Sequence, residues 1–162
     1  GNFLFDAEDK EGKSPFWWKS YMLKMGFNNK RAVNLKFIPF HFNQKQKRIN
    51  LLEGDSKAEF NHYLKYISDI IADKEELQNY WYGWCALHGP DWLNFVKDVE
   101  FPYKENNREQ VQKILAARNA FSCEAHNELL TTFLRMVVRD KLDQGRKYIS
   151  KIKKLQKGEI PE

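Results

Sequence analysis

Asn119, Cys123 and His126 stand at i, i+4 and i+7 in the stretch RNAFSCEAH at 118–126, so a continuous helix would carry them on one side. A thiol beside an imidazole can do two kinds of chemistry. As soft donors the pair can ligate a metal, and as nucleophile and base it can open a covalent reaction. Each chemistry needs more than the pair. A metal needs further donors, yet His41, His62 and His88 are scattered along the chain. A nucleophile needs a lowered thiol pKa and oxyanion donors, which the middle of a helix does not supply. Cys123 and His126 are therefore carried as contact residues, with no catalytic residue, metal ligand or cofactor assigned to this chain.

Three other constellations could bind rather than react. Arg118 falls inside the apolar stripe of Leu115 and Phe121. A charge there needs a partner, either as a buried clamp on a carboxylate or helix carbonyl, or with its stem packed and its head in water. Tyr80, Trp81, Trp84 and His88 recur at helical spacing and could form a stacking platform for a sugar. Core packing is the plainer use of such a stripe. The tail GRKYISKIKKLQKGE holds Lys151, Lys153 and Lys154 among six cations, with no acid before Glu159. Its seam of Ile149, Ile152 and Leu155 is too short for firm membrane attachment, so a surface helix docked by that seam with its lysines in water is the plainer reading, and contact with an anionic polymer is the alternative.

The bulk composition narrows the classes. The chain has 162 residues, with 12 Phe, 7 Tyr and 5 Trp, enough for a real core with a large aromatic content. A net charge of +5 is mildly basic, but Lys and Arg are interleaved with Asp and Glu outside the tail, so nucleic acid is not the expected partner. The two cysteines, Cys85 and Cys123, form no CxxC pair and are expected as free thiols. No phosphate loop, GxGxxG, GxSxG or HExxH is present. There is no signal peptide and no run of about 18 apolar residues, which leaves the address open between cytoplasm and cell envelope.

The elements that must position these residues follow from periodicity. GNFLFD at 1–6 reads as the end of a strand, with Asn2 at its start and no polar lead-in. That pattern suggests a segment cut from a longer protein. Ser14 and Pro15 read as the start of a short helix carrying Phe16, Trp17, Trp18, Tyr21, Met22 and Met25, ended by Gly26. Residues 33–40 alternate as a strand in which Pro39 marks the end or an edge, and INLL at 49–52 is its hairpin partner. Helices follow. Ser56 with Glu59 and Asp73 with Glu76 open two of them, and Gly89-Pro90 stops the second, leaving a short helix after Asp91. Phe101-Pro102-Tyr103 is a break, a long helix covers about 107–141 from a cap at Asn106 or Asn107, and a basic helix covers about 146–157. The fold class is α+β and predominantly α-helical: a short β-hairpin or sheet fragment near the N-terminus, then a helical bundle. Residues 1–52 are expected to complete a sheet and 53–162 to form a helical extension.

Three segments carry a family resemblance. GNFLFD at 1–6 resembles the Gly-Asn-Phe strand of the CapA family, the bacterial capsule-synthesis and poly-gamma-glutamate biosynthesis proteins. The stretch VNLKFIPFHFNQKQKRINLLEGDSKAEFNHYLKYIS at 33–68 is similar to the family's closing section, a strand ending in Pro, a variable loop, a short strand, Gly and a helix. RNAFSCEAH at 118–126 looks like a helix in the C-terminal extension of some members. The resemblance implies a parent with a metallophosphatase-like domain. Its metal-binding motifs precede the Gly-Asn-Phe strand, and none of them lies in this chain. Asn2 alone matches a position near the family's active-site side. The implied role is a non-catalytic C-terminal segment with a structural or interaction function, partnered by the rest of the parent or by a second copy.

Overall fold

The computed structural model describes residues 15–43, 45–97, 99 and 107–162. The strand expected at 1–6 with Asn2, the cap at Ser14 and the break at 101–103 lie outside the described residues. The described chain divides into two compact units. One holds the residues up to Ala72 together with Lys153–Glu162, and the other is Asp73–Ile152.

The first unit is built on a three-stranded antiparallel sheet, β1 (Lys19–Asn28), β2 (Arg31–Asn43) and β3 (Arg48–Leu51), in that spatial order. The helix expected over Phe16–Met25 is therefore the strand β1. Phe16, Trp17 and Trp18 form the turn before it, Tyr21 and Phe27 fit a pleated surface, and pairing with β2 outweighs the loose helical spacing of these residues. The connection is a two-residue turn in which Asn29 and Lys30 both take positive φ, 46° and 65°. That is the primed hairpin turn, whose twist matches the strands. Gly26 does not end a helix. It pairs with Val33 at the end of a register shift that sets Met25 against Asn34 and Leu35, with Asn34 in the left-handed region at φ 54°, and the bulge breaks the alternation of β2.

The strand expected at 33–40 exists but runs past Pro39 to Asn43. Pro39 has no N–H to return to Leu52, so the ladder with β3 ends there with a single bond. Its carbonyl accepts from Leu52 N–H at 2.9 Å, so its nitrogen also faces the β3 side, just beyond the end of β3 at Leu51. The hairpin between β2 and β3 forms as expected, with Phe40 opposite Leu51 and Asn43 opposite Arg48.

Helix α1 (Gly54–Ala72) closes this unit. Its Phe60 packs with Phe16 and Leu52 in a small buried cluster that Tyr63 covers. The Phe16 ring lies 4.3 Å from that of Tyr63, centre to centre. Burying a ring of this size is worth about 1.5–3 kcal/mol.

The second unit is helical, with α2 (Lys74–Lys97), α3 (Arg108–Ser122), α4 (Glu124–Val138), α5 (Leu142–Arg146) and the first half of α6 (Ile149–Gln156). Asp73 caps α2 as expected, its Oδ1 accepting from the N–H groups of Glu75 at 2.9 Å and Glu76 at 3.1 Å. Asn107 caps α3 by the same device. Two expected boundaries move. Gly89-Pro90 does not stop α2, which continues to Lys97. Pro90 removes one helical bond on the exposed side, while Trp92 and Leu93 beyond it pack on the core of Cys85, Leu129, Phe133 and Met136. The helix expected over 107–141 breaks at Cys123, where φ −85° and ψ 118° are extended.

Glycines let the helices of this unit touch. A Cβ on Gly89 would collide with the Phe133 ring. One on Gly145 would lie 2.5 Å from the Tyr82 carbonyl oxygen. Backbone meets backbone there, and only glycine permits it.

Candidate functional site

The outer part of the β1–β2 hairpin is the largest departure from an ordinary protein surface. Cross-strand partners share a face, so Tyr21, Leu23, Phe37 and Pro39 lie together and Met22 lies with Ile38 on the reverse. Leu23 is 42% exposed, Phe37 50%, Leu35 57% and Phe27 70%. Met22 and Met25 are exposed as well. Only Pro39 and Phe40, at the end nearest α1, are buried among the residues of β1 and β2. An antiparallel sheet with one wet face alternates apolar and polar residues, whereas a strand covered on both faces is apolar throughout. Tyr21-Met22-Leu23 of β1 and Phe37-Ile38-Pro39-Phe40 of β2 follow the second pattern, and the cross-strand pair Lys24 and Lys36 bounds it on the Met22 face. Reading β1 as a helix concealed the surface. The signal that reveals it is Asn28-Asn29 between two runs of strand formers, which is a hairpin turn signal.

The aromatic stripe of α2 does not form one platform. Tyr80 is buried and meets the Tyr148 ring edge-on at 5.1 Å. Trp81 packs on the core cluster around Cys85. Trp84 remains partly exposed and tilts over His88, their ring centres 4.2 Å apart. Burial lowers the pKa of His88, and the nearby Asp91 carboxylate opposes that shift. Half of the stripe is thus core, and Trp84 with His88 is what reaches solvent.

The stretch 118–126 is an elbow, not one helix face. Cys123 ends α3 and begins α4, its N–H donating to the Asn119 carbonyl at 3.1 Å. The Asn127 side-chain amide donates to the Phe121 carbonyl at 3.1 Å, which satisfies one orphan acceptor of the corner. The break removes the shared helical side on which Asn119, Cys123 and His126 were expected. His126 instead stacks on Trp92, ring centres 3.9 Å apart, with its Nδ1 buried and unpaired. Its placement is that of a wedge between α4 and the end of α2. Both cysteines are free, Cys123 half-buried and Cys85 fully buried.

Arg118 is exposed and makes no ion pair among the described residues, which is the arrangement of a packed stem with its head in water and not of a buried clamp. Its side chain borders an open apolar groove of about 640 Å³ with Val96, Ile114, Leu115 and Phe121.

The basic tail also divides. Lys151 lies 3.5 Å from the Glu76 carboxylate and 4.6 Å from the centre of the Tyr148 ring, so it is tied into the helical unit. Lys153 and Lys154 are exposed. Tyr148 donates a 2.6 Å hydrogen bond to Glu76, which holds its phenol above the ordinary range. No helix is long and apolar enough to cross a membrane among the described residues. No family model, curated protein or solved structure matches this chain.

Proposed function

We propose that this chain is a non-catalytic segment of a CapA-like protein of capsule or poly-gamma-glutamate synthesis, in which the β1–β2 hairpin is covered by the rest of that protein. The observation that carries this reading is the hairpin with apolar side chains exposed on both faces. Contiguous apolar surface of that kind marks a contact that burial would complete. The order β2, loop, β3, Gly54 and α1 supports the same reading, because it follows the closing section that the resemblance implies except that β2 runs past Pro39 to Asn43. The helices of 73–152 then form an extension that offers contact surfaces to a partner in polymer synthesis.

A second reading is a self-contained helical module that binds an anionic or sugar polymer. Trp84 with His88 and the exposed Lys153 and Lys154 are what favours it. It has the smaller surface, since Tyr80, Trp81 and Lys151 are engaged in internal packing.

Amide exchange of β1 and β2 tests the first reading. The chain alone should exchange quickly along the outer hairpin and bind a hydrophobic dye. On this reading, adding the metallophosphatase-like polypeptide of a CapA-like protein should protect both strands and release the dye. Unchanged exchange in the presence of that polypeptide, with no dye bound to the chain alone, would overturn it.

A further inference from the structure

A cleft on the helical unit gathers more positive charge than its one acidic wall residue balances. Arg135 from α4, Arg139 at its C-terminal cap and Lys141 just beyond line one side. Among the described residues none of the three makes an ion pair. Glu128 is the one acid on the wall, so two positive charges remain uncompensated.

The carbonyls at the end of α4 attract cations, which accounts for Arg135 and Arg139 lying there. They do not account for the neutral donors opposite. Gln78 and Trp81, from α2, offer an amide and an indole N–H, and Thr132 offers a hydroxyl. Among the described residues none of these three side-chain groups has a hydrogen-bond partner, although Thr132 is otherwise buried. Donors from two helices thus converge on the same space with their capacity unused.

The size of the space selects the ligand. At about 150 Å³ the cleft is well below the roughly 300–1,000 Å³ of pockets that take drug-sized molecules. It suits one compact group. A carboxylate brings two oxygens and a single charge. A phosphate monoester brings three oxygens and a charge of about −1.5 to −2, which matches the surplus. Two guanidinium forks are the side chains best shaped to grip phosphate oxygens in pairs.

We propose that the cleft bordered by Arg135, Arg139, Lys141, Trp81 and Thr132 is a binding site for a phosphate group, either free or carried on a larger molecule. The two guanidinium groups clasp its oxygens, Lys141 neutralises it at the rim, and the indole and hydroxyl fix its orientation. The site lies on the second unit and is independent of the hairpin surface.

The test is a nuclear magnetic resonance titration of the whole chain at constant ionic strength. The signals followed are the Trp81 indole and the Gln78 side-chain amide. Three probes are compared: sodium phosphate, glycerol 3-phosphate, and phosphatidylcholine vesicles containing phosphatidic acid. Saturable shifts with either soluble probe assign a soluble phosphate, and a response to the vesicles alone assigns a lipid headgroup. Arg135→Gln and Arg139→Gln should each weaken the response about tenfold or more, the loss expected for a charge-assisted hydrogen bond. Both arginines are exposed, so neither change removes core packing. Lys97→Gln, at the far end of α2, should leave the affinity unchanged. Sodium chloride giving the same shifts, no saturable shift with any probe, or full affinity in both arginine variants with native circular dichroism would overturn the proposal.

Discussion

Tyr21 and Phe37 meet edge to face across β1 and β2, ring centres 5.2 Å apart, on a face where both stay largely exposed. The contact supports the hairpin, and an aromatic pair of this geometry contributes about 0.5–1.5 kcal/mol. The rest of both rings is offered outward. The double variant Tyr21→Ser, Phe37→Ser should therefore cost little more than that pair contribution in a thermal melt. It should also abolish concentration-dependent self-association of the chain in sedimentation velocity. Self-association that persists undiminished in the variant would mean that another surface carries it.

The glycines of the helical unit make a sharper stability prediction. Gly89 faces the Phe133 ring and Gly145 faces the Tyr82 carbonyl, and neither site has room for a methyl group. Gly89→Ala and Gly145→Ala should each destabilise by about 1–3 kcal/mol, the usual cost of overpacking. An exposed helical position gains from Ala at the expense of Gly, so the sign of the effect separates the two situations. Urea melts of the two variants give the sign directly.

The cysteines should report on the same core. Cys85 is fully buried, and burial together with the Glu128 charge pushes its pKa up to about 12. At pH 8 its thiolate is scarce and shielded, so it should label only when the helical unit opens. Cys123 is half-buried at the elbow of α3 and α4. Mass spectrometry after brief treatment with a small alkylating reagent should show one modification, at Cys123. Cys85 should follow at a rate that rises with denaturant. Equal labelling of both thiols in the native chain would contradict the packing described for Leu129, Phe133 and Met136.

Local signals were legible in the sequence and tertiary ones were not. Asp73 and Asn107 could be read as caps because a cap needs only its own first turn. β2 and β3 could be read from alternation and from the polar run between them. β1 could not, because Phe16, Trp17, Trp18, Tyr21, Met22 and Met25 satisfy a helix and a strand about equally. Gly89-Pro90 reads as a stop, yet Gly89 is there to admit Phe133 and the helix continues for the burial beyond it. The break at Cys123 has no Gly or Pro to announce it. The surfaces followed the same rule. The exposed hairpin depended on reading β1 correctly. The cations of the phosphate cleft are spread over 135–141, with no spacing that singles them out from the donors of α2.

His88 supplies a prediction with a definite sign. Burial holds its pKa below the ordinary value of 6.5, and Asp91 only partly offsets this. The folded chain therefore keeps His88 neutral at a pH where the unfolded chain has begun to protonate it. In that window the unfolded state binds more protons, so stability rises with pH. The His88 contribution is fully present above about 6.5 and is lost as pH falls from there toward the lower native value. His88→Gln removes the titration but keeps a polar side chain beside Trp84. The melting temperature of the unaltered chain should drop between pH 7.5 and pH 5 by more than that of the variant. Glu76 and Glu128 are present in both proteins, so the difference isolates the imidazole. Parallel curves for the two proteins over that range would show that His88 titrates alike in the folded and unfolded states.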